Sequence, residues 1–204
     1  MSQLLDHILK EPKCETSIVG GISVLLTLLE CDTKDTNEIL CNPYGSLAPA
    51  DDVTPEAIEP SQVVTNTIQA ILPRLVDFHD VLINPPLKPA VMTTIGLLDP
   101  PLGNTRVEVA KLLSVLVANN NLEINNKLAE LDTINILLDL FFKYTWNNFL
   151  HTQVEQCLAF ALNADISSGE GEEVQKNSLI AHVLVKCRLL QRILEAWQDN
   201  EVQQ

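Results

Sequence analysis

Apolar residues recur every three or four positions along almost the whole chain, which is the spacing of one face of an α-helix. No stretch alternates apolar and polar residues convincingly, so we predict an all-α protein. We expect Pro73 to kink or split one helix, and Gly20 and Gly21 to bend another. The predicted helices cover residues 3–10, 16–30, 61–82, 90–98, 105–118, 123–130, 133–144, 148–162 and a last one that begins at 178.

Capping residues mark several of these helix starts. Thr105 opens a T-x-x-E capping box, in which the threonine and the glutamate satisfy backbone N–H groups of the first turn. Either Asp132 or Thr133 can cap the helix at 133–144, and either Asn147 or Asn148 can cap the helix at 148–162. These choices stay open at the level of sequence.

A short, a medium and a long helix follow one another over residues 123–162, forty residues in all. That length is typical of one armadillo or HEAT unit, about 40–47 residues. Two polar, acidic segments, 31–60 and 163–177, interrupt the helices as long loops. We therefore predict one helical-repeat domain over residues 1–204, an armadillo/HEAT-like α-solenoid of short helices with two acidic loops. A closed bundle is the alternative.

The formal net charge of −14 is concentrated in those two segments. Residues 30–60 hold eight acidic side chains and one lysine, and residues 165–173 hold four acidic side chains. Concentrated negative charge repels phosphate groups, so we expect neither nucleic acid nor an anionic membrane as a partner. The apolar runs are too short or too interrupted to cross a bilayer, and no secretory signal opens the sequence. We expect a soluble cytoplasmic protein, with the nucleus as a second location.

The chemistry-bearing residues do not form an enzyme signature. The four histidines are isolated in sequence, without the spacing of metal ligands, and five scattered cysteines include no CxxC pair. His151 lies six residues before Cys157 and on a different helical face, which is poor geometry for a base and a nucleophile. We expect buried reduced thiols, no metal, no cofactor and no enzymatic activity.

Six of the nine aromatic residues fall between positions 141 and 160. On a helical wheel one apolar face of this region should be core, namely Leu150, Val154, Cys157, Leu158 and Ala161. We interpret four of the aromatics as core or corner packing: Phe141, Phe142, Phe149 and Phe160. For the "KYTWNN" turn two interpretations remain, packing between the helices or recognition of a partner, because exposed aromatics and amides are typical interface anchors.

A narrow polar strip, Asn148, Thr152 and Glu155, separates two apolar faces of the same helix. We expect such a strip on an inner helix of a solenoid, where it stays free for a partner. The candidate partner-binding residues are Asn104, Glu108, Lys111, Lys143, Tyr144, Trp146, Asn147, Asn148, His151, Thr152 and Glu155.

The stretch "FFKYTWNNFLHTQVEQC" resembles the most distinctive segment of the SAPS family, the regulatory subunits of protein phosphatase 6. Four other segments resemble the family in the same order: "LLDHILKEP", "PRLVDFHDVLINPP", "LDPPLGNTRVEVAKLL" and "RLLQRILEAW". The family domain extends to both sides of such a stretch, so the resemblance implies a central piece of it.

The resemblance implies a non-catalytic helical-repeat scaffold. Such a scaffold holds the phosphatase 6 catalytic subunit and, with ankyrin-repeat regulatory subunits, directs it to substrates. The chemistry would belong to the dimetal centre of the partner. The alternative from the residues alone is a general solenoid adaptor, of the transport or cytoskeletal type, whose partner is unrelated to phosphatases.

Overall fold

The computed structural model describes residues 2–10, 13–29, 62–94, 96–163 and 178–202. Within these ranges the regular structure is helical apart from one small β-hairpin, and short irregular segments connect the elements. The predicted loop at 31–60 lies outside the described residues, and so does all of the predicted loop at 163–177 except Asn163. The helices are α1 (Ser2–Ile8), α2 (Glu15–Leu29), α3 (Gln62–Ile71), α4 (Leu75–Ile83), α5 (Asn104–Ala118), α6 (Leu122–Glu130), α7 (Thr133–Lys143), α8 (Asn148–Asn163), α9 (Ser178–Ala181) and α10 (Leu189–Val202).

Three long helices stack in series through the middle of the protein. Helix α5 packs against α2 and also against α8, and the α5–α8 contact is the most extensive one between elements. The three helices have 15, 15 and 16 residues. Helix α5 begins at residue 104 and α8 at residue 148, which is 44 residues later and within the armadillo period of about 40–47.

Two shorter helices precede each of the last two long ones. The triplet α3–α4–α5 has 10, 9 and 15 residues, and the triplet α6–α7–α8 has 9, 11 and 16. Equivalent members stack, since α4 contacts α7, and α6 contacts α9. The prediction of an all-α, solenoid-like protein is confirmed, and the repeat unit is three helices.

The core runs through this stack as one continuous apolar cluster. Helix α5 lies at its centre and buries ten of its fifteen residues, because it has neighbours on several sides. Phe78 of α4 is the largest of the fully buried side chains. In the described part of the chain, no helix combines the length and the apolar character needed to cross a membrane.

The predicted helix at 90–98 is wrong. Strands β1 (Val91–Thr93) and β2 (Gly96–Leu98) form an antiparallel hairpin there, pairing Val91 with Leu98 and Met92 with Leu97. β-Branched residues favour extended backbone, and Gly96 takes a φ of 126° that other residues rarely adopt. Strands of three residues are too short to show an alternating pattern.

Of the two predictions about helix distortion, the split at Pro73 is confirmed, and the bend at Gly20 and Gly21 stays a prediction. Pro73 does split a helix, since a 3₁₀ turn over Leu72–Arg74 separates α3 from α4. Helix α2, in contrast, continues without a break through Gly20 and Gly21. A Cβ atom on Gly21 would lie 2.1 Å from Ile8 Cγ1, so this glycine lets α1 approach α2 closely.

The predicted single helix from Ser178 onward is interrupted. It becomes a π-helical turn over His182–Lys186, which ends where the Cys187 N–H donates to the His182 carbonyl at 2.8 Å. Arg188 then takes a left-handed φ of 51°, and α10 starts afresh at Leu189. The apolar spacing is regular across this break, but the backbone is not.

The capping predictions were partly wrong. Helix α5 begins one residue before Thr105, and the buried Thr105 side chain has no hydrogen-bond partner among the described residues. Asp132 precedes α7 with a left-handed φ of 59° and makes no capping bond, because side-chain capping requires extended backbone. Asn147 does cap α8, since its Oδ1 accepts from the Leu150 N–H at 2.9 Å.

Candidate functional site

A tight turn joins α7 to α8 and forms a corner of the solenoid. The Tyr144 N–H closes α7 by donating to the Leu140 carbonyl, and the Asn147 N–H donates to the Tyr144 carbonyl at 3.0 Å. With the Asn147 cap, these bonds fix the turn from both sides. Trp146 therefore stands at the tip of a well-defined turn.

Trp146 and Phe149, which we call the aromatic corner, project into solvent. Their exposed fractions are 75% and 78%, among the highest of the large apolar side chains in the described part. An aromatic side chain buries about 150–250 Å² when it is covered, and tryptophan is enriched at the energetic centres of interfaces. Covering the aromatic corner would therefore contribute a large favourable term to the free energy of binding of a partner protein.

Phe149 is the residue that sequence reasoning missed. It was interpreted as packing, yet it is more exposed than Trp146. The helical wheel already indicated that Phe149 lies away from the buried face, because it is rotated about 100° around the helix axis from Leu150, whose side chain is fully buried. Phe141 and Phe142, in contrast, pack partly buried against the core, with ring centroids 5.2 Å apart.

For Tyr144 the structure favours the packing interpretation. Its side chain is 7% exposed, and its hydroxyl donates to the Pro100 carbonyl at 2.8 Å. Buried Arg106 donates from Nη1 to the same hydroxyl at 3.3 Å and from Nε to the Leu82 carbonyl at 2.8 Å. Tyr144 and Arg106 therefore tie the corner to the start of α5.

His151 and Lys143 flank the corner in different ways. The His151 ring is half-buried and stacks on Phe141 with centroids 4.1 Å apart, and its Nε2 lies 3.1 Å from the Phe141 carbonyl oxygen. Lys143 is exposed, with Nζ 5.4 Å from the centre of the Tyr144 ring. Lys143 can reach a partner directly, whereas His151 chiefly fixes the joint between α7 and α8.

The polar strip continues from the corner along α8. Asn148, Thr152 and Glu155 are exposed, and their availability to a partner stays a prediction. On the opposite side of the helix, four predicted core residues are at most 1% exposed: Leu150, Val154, Cys157 and Ala161. Leu158, the fifth predicted core residue, is only partly buried.

Helix α5 adds a second row of polar side chains. Asn104 and Lys111 are exposed and Glu108 is half-buried. Because α5 packs along α8, the two rows belong to neighbouring helices. The structure thus leaves most predicted site residues accessible on adjacent elements, and their role in binding stays a prediction.

A shallow cavity of about 420 Å³ lies where the segment after α4 meets the segment before α5. Its walls are two proline-rich stretches, residues 83–88 and 100–103, together with Thr105 and Arg106. The Tyr144–Pro100 hydrogen bond connects one wall of this cavity to the aromatic corner. The corner therefore has a rigid support behind it.

Cys157 and His151 have separate surroundings in the structure. Burial raises the pKa of the Cys157 thiol to about 12, so the thiol stays protonated at neutral pH. The ring of His151 contacts Phe141 instead.

Comparison with known proteins identifies one family. The family model described as SIT4 phosphatase-associated protein matches residues 1–204. No solved structure matches the chain.

Several characterised proteins are similar to the chain over nearly all of its length. Serine/threonine-protein phosphatase 6 regulatory subunit 3 of Gallus gallus is 42% identical over 212 residues, which cover 100% of this chain and 23% of that protein. Regulatory subunit 2 of Homo sapiens is 38% identical, covering 98% of this chain and 22% of its own length. Regulatory subunit 1 of Homo sapiens is 36% identical, and the match covers 98% of this chain and 23% of that protein. The chain therefore spans less than a quarter of the relatives it matches.

Proposed function

The chain belongs to the SIT4 phosphatase-associated protein family, and on that premise we propose that it is a non-catalytic regulatory scaffold that binds the phosphatase 6 catalytic subunit. The names of the relatives, regulatory subunits of serine/threonine-protein phosphatase 6, support this proposal. In the proposed complex the catalytic subunit supplies the chemistry. The scaffold directs it to substrates.

The exposure of Trp146 and Phe149 is the observation that carries the proposal. Two aromatic side chains more than 70% exposed, fixed on a hydrogen-bonded turn, lose little conformational entropy when a partner covers them. Next to them lie polar groups of α8 and α5 that can donate and accept hydrogen bonds at the rim. This combination, an aromatic centre with a polar rim, is the usual anatomy of a protein interface.

We propose two finer features as well. They are a joint assembly with ankyrin-repeat regulatory subunits and a location in the cytoplasm and the nucleus. Neither nucleic acid nor a membrane is part of the proposed assembly.

The experiment is a binding titration of the purified chain with purified phosphatase 6 catalytic subunit. We expect the double variant Trp146→Ala/Phe149→Ala to bind at least tenfold more weakly, which corresponds to about 1.4 kcal/mol. Truncation of a central interface aromatic commonly costs about 2 kcal/mol or more, so this is a conservative figure.

The matched control is Trp197→Ala on α10. Trp197 is 66% exposed and lies on another helix, so its loss removes the same kind of exposed side chain. Unchanged affinity of both variants would reject the corner as the interface. Failure of the intact chain to bind the catalytic subunit at all would instead favour a general solenoid adaptor.

A further inference from the structure

Three side chains of the metal-binding kind meet in a cluster away from the aromatic corner. They are Asp132 at the start of α7, and His182 and Cys187 at the two ends of the π-helical turn. One ligand atom from each lies within 4.8 Å of the other two. His182 and Cys187 are buried, at 6% and 3% exposure.

The fold brings these residues together by stacking successive triplets. Asp132 follows α6, and α9 packs on α6, so residues fifty positions apart in sequence become neighbours. Two of the three non-glycine residues with positive φ in the described part, Asp132 and Arg188, belong to this site or adjoin it. The backbone is thus held in uncommon conformations at both edges of the cluster.

The π-helical turn is what aligns His182 with Cys187. In an α-helix, residues five apart point about 140° away from each other around the axis. A π-turn winds more loosely, and the bond from the Cys187 N–H to the His182 carbonyl closes it over five residues. The wider turn brings the two side chains toward one side, and such turns occur often at functional sites.

One nitrogen of His182 and one oxygen of Asp132 face each other, while the other carboxylate oxygen, Asp132 Oδ2, accepts from Asn135 Nδ2 at 3.2 Å. His182 Nε2 and Asp132 Oδ1 lie 2.9 Å apart, and each is buried without any further hydrogen-bond partner among the described residues. A buried imidazole and a half-buried carboxylate, each with one atom lacking a further partner among the described residues, thus lie beside a cysteine sulfur.

We propose that Asp132, His182 and Cys187 bind a single zinc ion, with the fourth position open to water. A thiolate, an imidazole and a carboxylate are the ligands that zinc accepts in proteins. Metal–ligand bonds of about 2.0–2.3 Å in a tetrahedral site put the ligand atoms about 3.3–3.7 Å apart. Small side-chain rotations reach that spacing from the present distances. On binding, the Cys187 thiol gives up its proton to solvent and the sulfur bonds to the ion.

The bound ion would connect the turn after α9 to the start of α7. Its structural effect would be to fix α9 and α10 on the preceding triplet. Sequence reasoning did not find this site, because its residues come from separate segments and their spacing matches no zinc motif. The proposal does not depend on the proposed function.

Cobalt(II) titration of the metal-free full chain tests the site. We expect one equivalent of Co²⁺ to bind and to produce thiolate-to-cobalt charge-transfer absorption together with the intense visible bands of tetrahedral coordination. Zn²⁺ should displace the cobalt and raise the melting temperature, since a ligand of the folded state stabilises it.

Cys187→Ser should lose the charge-transfer absorption, and Asp132→Asn should weaken zinc binding at least tenfold. Circular dichroism shows whether each variant is folded. Cys14→Ser is the control, because Cys14 is the exposed one of the three described thiols and so the most prone of them to adventitious metal binding. Absorption that survives Cys187→Ser but disappears in Cys14→Ser overturns the proposal. So does a wild-type chain that takes up no cobalt and whose melting temperature zinc leaves unchanged, which would make the cluster a packing contact only.

Discussion

Helices α8 and α10 have the same pattern in sequence and opposite surroundings in the structure. Both repeat apolar residues every three or four positions. The apolar face of α8 is at most 1% exposed at Leu150, Val154, Cys157 and Ala161. The apolar face of α10 is 50–66% exposed at Leu190, Ile193, Leu194 and Trp197.

An apolar face in the sequence therefore shows that burying this side of the helix is favourable. It does not show whether another element of the chain packs against it. Helix α8 has α5 along its length and α7 and α9 as further neighbours. Helix α10 joins the rest through fewer contacts, such as Arg192, whose Nη2 donates to Asp139 Oδ1 at 2.8 Å and whose guanidinium lies over the Phe142 ring. In the described part of the chain, stability is thus concentrated in the central stack.

The largest expected effect is on the free energy of unfolding, which should respond very differently to the same substitution in α8 and in α10. Leu150→Ala removes a fully buried side chain of α8 and should lower the free energy of unfolding by about 2–5 kcal/mol. Leu190→Ala, at a residue 64% exposed, should change it by no more than about 0.5 kcal/mol. Urea unfolding of both variants measures the difference. Similar losses in the two would mean that α10 is as well covered as α8.

The next prediction has a smaller expected effect. It concerns the opposite end of the stack, where α1 packs tightly on α2, in contrast to the exposed α10. Gly21→Ala should lower the free energy of unfolding by about 1–3 kcal/mol, because its methyl group would meet buried Ile8. Gly20→Ala should raise it by about 0.5–1 kcal/mol, since no atom lies within 4 Å and alanine favours a helix. Thermal unfolding measures both. A stabilising Gly21→Ala would show that α1 packs loosely, as α10 does.

The smallest effect concerns thiol reactivity and leaves stability unchanged. Hydrogen bonding, chiefly from the Thr16 side chain, lowers the pKa of Cys14 to about 7, whereas burial raises the pKa of Cys157 to about 12 and of Cys187 to about 11. Because the thiolate is the reactive form, alkylation of Cys14 should speed up as the pH rises through 7 and then level off. Peptide mass spectrometry should find Cys157 and Cys187 unlabelled in the folded protein. Equal labelling of Cys187 and Cys14 would show that the segment from α9 to α10 opens readily.

The long helices were predictable because each carries an apolar stripe over four turns. Helix α5 was expected at 105–118 and α8 at 148–162, and both agree with the structure to within one residue. The hairpin at 91–98 was missed because its strands have only three residues. The break after His182 was invisible because apolar spacing persists through the π-turn.

The candidate site was predictable only in part, for a related reason. Trp146 could be found from the turn in which it lies, and the polar strip from the helical wheel. The burial of Tyr144 could not, because Pro100 and Arg106, which hold its hydroxyl, come from distant segments. Phe149 was misjudged because the second, partly apolar face of this helix was expected to pack against the helices that follow it, yet Phe149 is exposed.

The central claim is that a phosphatase 6 catalytic subunit covers the aromatic corner and its polar strip, although α10 exposes a comparable apolar face. Hydrogen–deuterium exchange of the chain, alone and bound to that subunit, tests this claim most directly. We predict slower exchange on binding in peptides that span 104–111 and 143–156, with no change across 189–201. Protection confined to 189–201, with the corner exchanging as it does in the free chain, would contradict the account.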